Sequence, residues 1–138
     1  MANILVVDDQ RCVREFLSEE LILEGHEVYG LGDRESVRGH LRLSQPDLVL
    51  LDVYLDGAKG FNLFEHIKRR YPGLPIIIFT AYDSYRHDPR LSQADGYVIK
   101  SMLLDKLKGK IAHILNCEPA PEGFGVKTQS AQFSGAYS

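Results

Sequence analysis

Apolar residues in this chain fall into two kinds of segment that alternate. Three short runs, Ile4-Leu5-Val6-Val7, Leu48-Val49-Leu50-Leu51 and Ile76-Ile77-Ile78-Phe79, are unbroken by any polar residue, and Tyr97-Val98-Ile99 makes a fourth. A run of this length without alternation reads as a strand buried on both faces, as in a parallel sheet covered by helices. Between these runs the period lengthens. Val13, Phe16, Leu17 and Leu21 fall at helical spacing, with Gly25 as the stop. Asp33 is placed to cap a helix whose inner face includes Val37 and Leu41, although Gly39 weakens it. Phe61, Phe64 and Ile67 mark a third helix, and Leu104, Leu107, Ile111, Ile114 and Leu115 a last one. A shorter, less apolar strand is predicted over residues 27–30, and its weak pattern suits a sheet edge. Residues 82–95 hold few apolar side chains and Pro89, so a regular full-length helix is not expected there.

The predicted order is β-α-β-α-β-α-β, a weak helical stretch, then β-α. Right-handed crossovers between parallel strands turn that order into an α/β fold, a doubly wound parallel sheet with helices on both faces. At 138 residues the chain is read as one domain with a real core, over residues 1–115. From Asn116 the composition shifts to Pro, Gly, Ser and Ala, so residues 116–138 are expected to form a flexible or partly extended tail.

Composition narrows the function classes. The net charge of −3 gives no broad basic surface, so no nucleic acid is expected as a partner of this chain. Cys12 and Cys117 lie far apart and suit a reducing compartment better than a disulfide scaffold. The first apolar run is too short for a signal-peptide core and no other run approaches a membrane span. A cytoplasmic protein with no membrane contact is the expectation. The five histidines show no metal-ligand spacing, and Lys68-Arg69-Arg70 reads as a solvated last helical turn that complements the helix dipole.

Chemistry gathers where the strands end. Asp8 and Asp9 follow the first run, Asp52 the second, Thr80 the third and Lys100 the fourth. In open α/β sheets, ligands bind in the crevice outside the carboxyl ends of the strands. Three carboxylates in one crevice would raise at least one pKa by repulsion and desolvation, so a balancing charge is required. A hard divalent cation such as Mg²⁺ meets that need with carboxylate oxygens, a backbone carbonyl and waters. The Lys100 ammonium can reach a phosphoryl oxygen or a free carboxylate, and Thr80 offers a hydroxyl to a second phosphoryl oxygen. Together these make a phosphoryl-transfer site with one Asp as nucleophile. Taken singly, the Asp pair could be a helix cap, the Thr a turn residue and the Lys a solvated charge. Their occurrence together at four strand ends favours the site. Residues 53–60 form a loop with two glycines at its edge, able to bend backbone toward a ligand.

Ile4-Leu5-Val6-Val7-Asp8-Asp9, Leu50-Leu51-Asp52, Thr80-Ala81 and Tyr97-Val98-Ile99-Lys100 resemble the signature set of the response-regulator receiver domain, the CheY-like fold of two-component signalling. The resemblance covers about residues 3–115. It implies a flavodoxin-like sheet of five parallel strands in the order 2-1-3-4-5. It further implies that Asp52 is the phosphoacceptor, that Asp9 binds Mg²⁺ directly, and that Asp8 helps hold the metal. The backbone carbonyl of Tyr54 would be a further ligand. Thr80 and Lys100 would contact the phosphoryl group, and Tyr97 would be a switch aromatic that turns inward as Thr80 moves. The chain departs from the family pattern at Ser101, where proline is usual and a cis peptide is therefore not expected, and at Asp56, where many members have proline. It departs again in the short, Pro89-containing segment before Lys100, which implies a short or irregular fourth helix.

The implied function is a stand-alone receiver that takes a phosphoryl group from a sensor histidine kinase or a histidine phosphotransfer protein and acts on a downstream protein. Only slow self-phosphorylation and self-dephosphorylation are expected of it. Three alternatives stand beside this: the receiver fragment of a longer DNA-binding regulator, a phosphatase using an aspartyl-phosphate, and a flavodoxin-like cofactor binder. Phosphatases of that kind commonly carry a second Asp two residues after the nucleophile, a position that is Tyr54 here.

Overall fold

The structure is a computed structural model that describes residues 2–55, 57, 60–101 and 103–115. The expected tail, with Cys117, and the Asp56 departure lie outside the described residues. Five strands form one parallel sheet: β1 (Asn3–Val7), β2 (Glu27–Leu31), β3 (Leu48–Leu51), β4 (Ile76–Thr80) and β5 (Gly96–Ile99), in the order β2-β1-β3-β4-β5. The helices are α1 (Arg11–Leu23), α2 (Arg34–Leu43), α3 (Gly60–Arg70) and α4 (Asp105–Ile114). This is the expected flavodoxin-like arrangement.

The unbroken apolar runs occupy β1, β3 and β4 because both faces of those strands are covered. Leu5, Val7, Val49, Leu51, Ile76 and Ile78 pack with Val37 and Leu41 of α2 and Phe61, Phe64 and Ile67 of α3. The alternate residues Ile4, Val6, Leu48, Leu50, Ile77 and Phe79 point the other way and are also buried. Weakly apolar β2 takes an edge, as its pattern predicts, and runs one residue further than expected, to Leu31. Asp33 caps α2 through its carboxylate, which accepts from the Ser36 amide at 2.8 Å, and α2 runs through Gly39 unbroken. Gly25 closes α1 with φ at +96°, a conformation that favours glycine, and its amide bonds the Ile22 carbonyl at 2.9 Å.

Between β4 and β5 a regular helix is replaced by two single 3-10 turns, Asp83–Tyr85 and Pro89–Leu91. The second is capped by Asp88, whose carboxylate accepts from the Arg90 amide at 2.9 Å, while the first has no side-chain cap. The segment is anchored by side chains instead of an apolar stripe: Arg90 lies 3.8 Å over the Phe61 ring and Tyr85 packs edge-on to it. Beyond Lys100 the described residues form a separate unit, in which α4 buries Leu107 and Ile111 and exposes Asp105 and Lys106.

The basic end of α3 departs from expectation. Arg69 and Arg70 are exposed, but the Lys68 side chain is only 14% exposed. Its ammonium donates to Asp95 Oδ2 at 2.8 Å and to the Leu74 carbonyl at 3.3 Å. Asp95 Oδ2 also accepts from the Ile76 amide at 2.8 Å, so this ion pair secures the entrance to β4. A partner 27 residues away is invisible to a charge-pattern argument.

Candidate functional site

Sheet register brings the strand ends level. Val7 is opposite Leu51, Leu51 opposite Ile78, and Thr80 opposite Ile99. Each ladder continues for one backbone hydrogen bond into the residue that carries chemistry. The Asp8 amide donates to the Leu31 carbonyl at 3.1 Å, the Asp52 amide to the Val7 carbonyl at 3.0 Å, and the Lys100 amide to the Thr80 carbonyl at 2.7 Å. These residues are therefore held as rigidly as the sheet.

Their side chains converge. Lys100 Nζ lies 2.6 Å from Asp8 Oδ2 and 2.9 Å from Asp52 Oδ2. Asp8 is 2% exposed and Asp52 7%, while Asp9 is exposed. One carboxylate oxygen from each of Asp8, Asp9 and Asp52 lies within 4.8 Å of the other two. The second oxygens are also held: Asp8 Oδ1 accepts from the Gln10 amide at 2.9 Å and Asp52 Oδ1 from the Tyr54 amide at 3.0 Å.

Burial dominates the electrostatics of the deepest carboxylate. Desolvation pushes the Asp8 pKa above the ordinary carboxylate value, against hydrogen bonds from Lys100 and the Gln10 amide. For Lys100, burial by itself would lower the pKa, but hydrogen bonds and charge from Asp8 and Asp52 together outweigh it and the value is raised. Lys100 thus stays an ammonium.

Thr80 ends β4 with no exposed surface, and its Oγ1 is the acceptor for the Tyr82 amide at 3.5 Å. Tyr97 lies opposite Ile78, two residues before Thr80's partner Ile99. It is half-buried, its hydroxyl donates to the Tyr82 carbonyl, and Arg86 lies 4.9 Å over its ring. Burial raises its phenol pKa. Tyr54 places its ring 5.1 Å from that of Tyr82 at the rim of the crevice, both of them exposed. Asp8, Asp9, Asp52 and Lys100 therefore cluster at the carboxyl ends of the strands with Thr80 at the end of β4, while Tyr97 lies further back along β5, opposite Ile78.

The donor set suits a hard divalent cation. An octahedral shell with bonds of about 2.1 Å separates its oxygens by about 3–4 Å, so three oxygens already within 4.8 Å need only a small adjustment.

A family model described as the response regulator receiver domain matches residues 4–112. The chain belongs to the response regulator receiver domain family. Among curated proteins, this receiver is 35% identical over 128 residues to the response regulator protein FleR of Pseudomonas aeruginosa, covering 90% of this chain and 27% of FleR. Its fold matches that of the response regulator protein TrrA from Thermotoga maritima in complex with Mg²⁺-BeF, with TM-score 0.79 and 38% identity over 83% of this chain and 99% of TrrA. A second TrrA structure, in which it is in complex with the histidine kinase ThkA, gives TM-score 0.78 at the same identity and coverage. The receiver spans between 27% and 57% of the length of four curated relatives that it matches, FleR among them.

Three features at the site escape a linear reading. Tyr82 binds the Tyr97 hydroxyl through its carbonyl and packs against Tyr54, a role with no signature in sequence. Gly60 opens α3 where a Cβ would lie 2.4 Å from the Val53 carbonyl oxygen and 2.6 Å from that of Asp52. Sequence pointed to a glycine-bearing loop, but the need here is close backbone approach. Arg14 donates from Nη1 to the Asp8 carbonyl at 2.7 Å. Among the described residues no helix is long and apolar enough to cross a membrane.

Proposed function

We propose that this receiver accepts a phosphoryl group from a phosphohistidine of a sensor histidine kinase or a histidine phosphotransfer protein onto Asp52. In that step an Asp52 carboxylate oxygen attacks phosphorus, the P–N bond to the donor imidazole breaks, and an acyl phosphate forms. The single observation that carries the reading is the Lys100 ammonium shared by two buried carboxylates, with Asp9 within 4.8 Å. Asp8, Asp9, Asp52 and the Tyr54 carbonyl are the groups that would hold Mg²⁺. When bound, that ion supplies positive charge to the transferring phosphoryl oxygens.

Lys100 pairs with the Asp52 carboxylate and then follows the new phosphoryl oxygen, because its flexible stem lets the ammonium move between partners. Thr80 offers its hydroxyl to a second phosphoryl oxygen. Turning the Thr80 hydroxyl toward that oxygen would disturb the Thr80–Tyr82 contact, and Tyr82 is also the residue whose carbonyl holds the Tyr97 hydroxyl. The Thr80 and Tyr97 surface is thereby biased between two arrangements, to the extent that the phosphoryl group contacts them differently. A protein partner reads the outcome. TrrA's capture with a histidine kinase and with Mg²⁺-BeF supports both halves of the reading.

Tyr54 in place of a second Asp argues for a stored signal with slow self-phosphorylation and self-dephosphorylation, and against a multiple-turnover phosphatase. The test is incubation with acetyl phosphate or a phosphorylated kinase, with and without Mg²⁺, comparing wild type and Asp52→Asn. Stoichiometric, Mg²⁺-dependent label that disappears in the variant is expected; label that persists moves the acceptor elsewhere.

A further inference from the structure

Gly30 in β2 and Gly32 just after it are accounted for neither by the sheet nor by the acidic cluster, yet one side chain depends on both. A Cβ on Gly30 would sit 3.3 Å from Cβ and Cδ of Arg14, and a Cβ on Gly32 would sit 2.8 Å from Arg14 Nη1. The Arg14 side chain leaves the first turn of α1 and crosses this bare stretch of backbone. It ends on the Asp8 carbonyl oxygen, 2.7 Å from Nη1.

We propose that Arg14 is a positioning residue for the Asp8–Asp9 pair, seated in a trough that Gly30 and Gly32 keep open; this rests on the phosphoacceptor reading above. Asp8 is fixed at three other points: its amide on Leu31, Oδ1 on the Gln10 amide and Oδ2 on Lys100. None of these sets the plane of the peptide that joins it to Asp9. Because that unit is planar, holding its oxygen fixes where the Asp9 nitrogen and Cα lie. It thereby fixes the direction from which the Asp9 carboxylate meets those of Asp8 and Asp52. A hydrogen bond behind a ligand of this kind sets metal affinity by about 10–100-fold in comparable sites.

Charge alone predicts the opposite sign. A guanidinium beside an anionic crevice repels a divalent cation, so deleting it would tighten binding if electrostatics decided the matter. Positioning predicts weakening, and the two are separable.

The experiment is calorimetric titration of the full chain with MgCl₂, with wild type, Arg14→Met and Gly32→Ala compared, and urea unfolding of each alongside. Gly32→Ala keeps the charge but forces Nη1 off its seat. The expected result is a Kd for Mg²⁺ raised about tenfold in Arg14→Met and raised, by less, in Gly32→Ala. Should Arg14→Met fail to fold, Gly32→Ala decides. Variants that bind Mg²⁺ as wild type does, or more tightly, overturn the proposal, as does a lowered urea midpoint with unchanged Kd. A wild type that binds no Mg²⁺ and takes no label on Asp52 overturns the phosphoacceptor reading, and this proposal with it. A wild type that does both beside unchanged variants overturns the role of Arg14 alone.

Discussion

Lys100 Nζ stands 2.6 Å from Oδ2 of Asp8, a carboxylate that is almost fully buried, and the same ammonium reaches Asp52. One cation thus balances two anions drawn out of water at the ends of β1 and β3. Removing it leaves both carboxylates without their counter-charge. Lys100→Met is expected to lose about 2 kcal/mol of stability, below the 3–5 kcal/mol of a fully buried pair because the Lys100 side chain itself keeps 17% of its surface in water. If Mg²⁺ binds there, the ion then meets a more negative site. Urea unfolding with and without Mg²⁺ should therefore show a larger Mg²⁺-induced gain in the variant than in wild type.

Close packing of backbone at the start of α3 makes Gly60 irreplaceable. A Cβ there would fall 2.4–2.6 Å from backbone atoms of Val53 and Asp52, none of which can swing aside as a side chain could. Gly60→Ala is expected to cost about 2–3 kcal/mol, read as a lowered urea midpoint. Phosphoryl acceptance by the folded fraction should fall as well, since the residue displaced is Asp52 or its neighbour.

The Lys68–Asp95 contact offers a contrasting case, away from the site. Asp95→Ala strips the acceptor from the Ile76 amide and the partner from a half-buried Lys68. The expected loss is about 1–3 kcal/mol, measured by thermal or urea unfolding. Asp95→Asn, which keeps an oxygen in place, should lose less. Label on Asp52 should be unchanged per folded molecule in both.

His26 gives the fold an acid-sensitive point. Its Nδ1 accepts from the Ala2 amide at 3.3 Å, which requires that nitrogen to be unprotonated, and burial lowers its pKa below the ordinary imidazole value. The unfolded chain therefore binds its proton at higher pH than the folded one. Stability from this residue is complete above about pH 6.5 and is lost as pH falls from there through the folded-state value. His66 shifts in the same direction, through burial and then Arg38, Arg69 and Arg70. The drop in urea midpoint between about pH 7 and about pH 5 should be smaller in His26→Gln than in wild type. An NMR titration placing the His26 imidazole at or above its unfolded value would refute the account.

Much of this architecture is legible in the order of residues alone. Unbroken apolar runs announce strands covered on both faces, the weaker pattern of β2 announces an edge, and Asp33 and Gly25 mark helix ends, because each of these depends on neighbours within a few residues. Once strands and crossovers are placed, the residues following β1, β3 and β5 share one rim as a matter of topology, which is why Asp8, Asp9, Asp52 and Lys100 could be named before any coordinate.

Tertiary structure decided what no local pattern carries. Strand register sets which oxygen of Asp8 and of Asp52 meets an ammonium 48 residues further on than Asp52. It also sends Lys68 to Asp95, seats the Tyr97 hydroxyl on the Tyr82 carbonyl and lays Arg14 across Gly30 and Gly32. A side chain's partner is fixed by distances across the sheet, and those emerge only when strands far apart in sequence are set in order and in register.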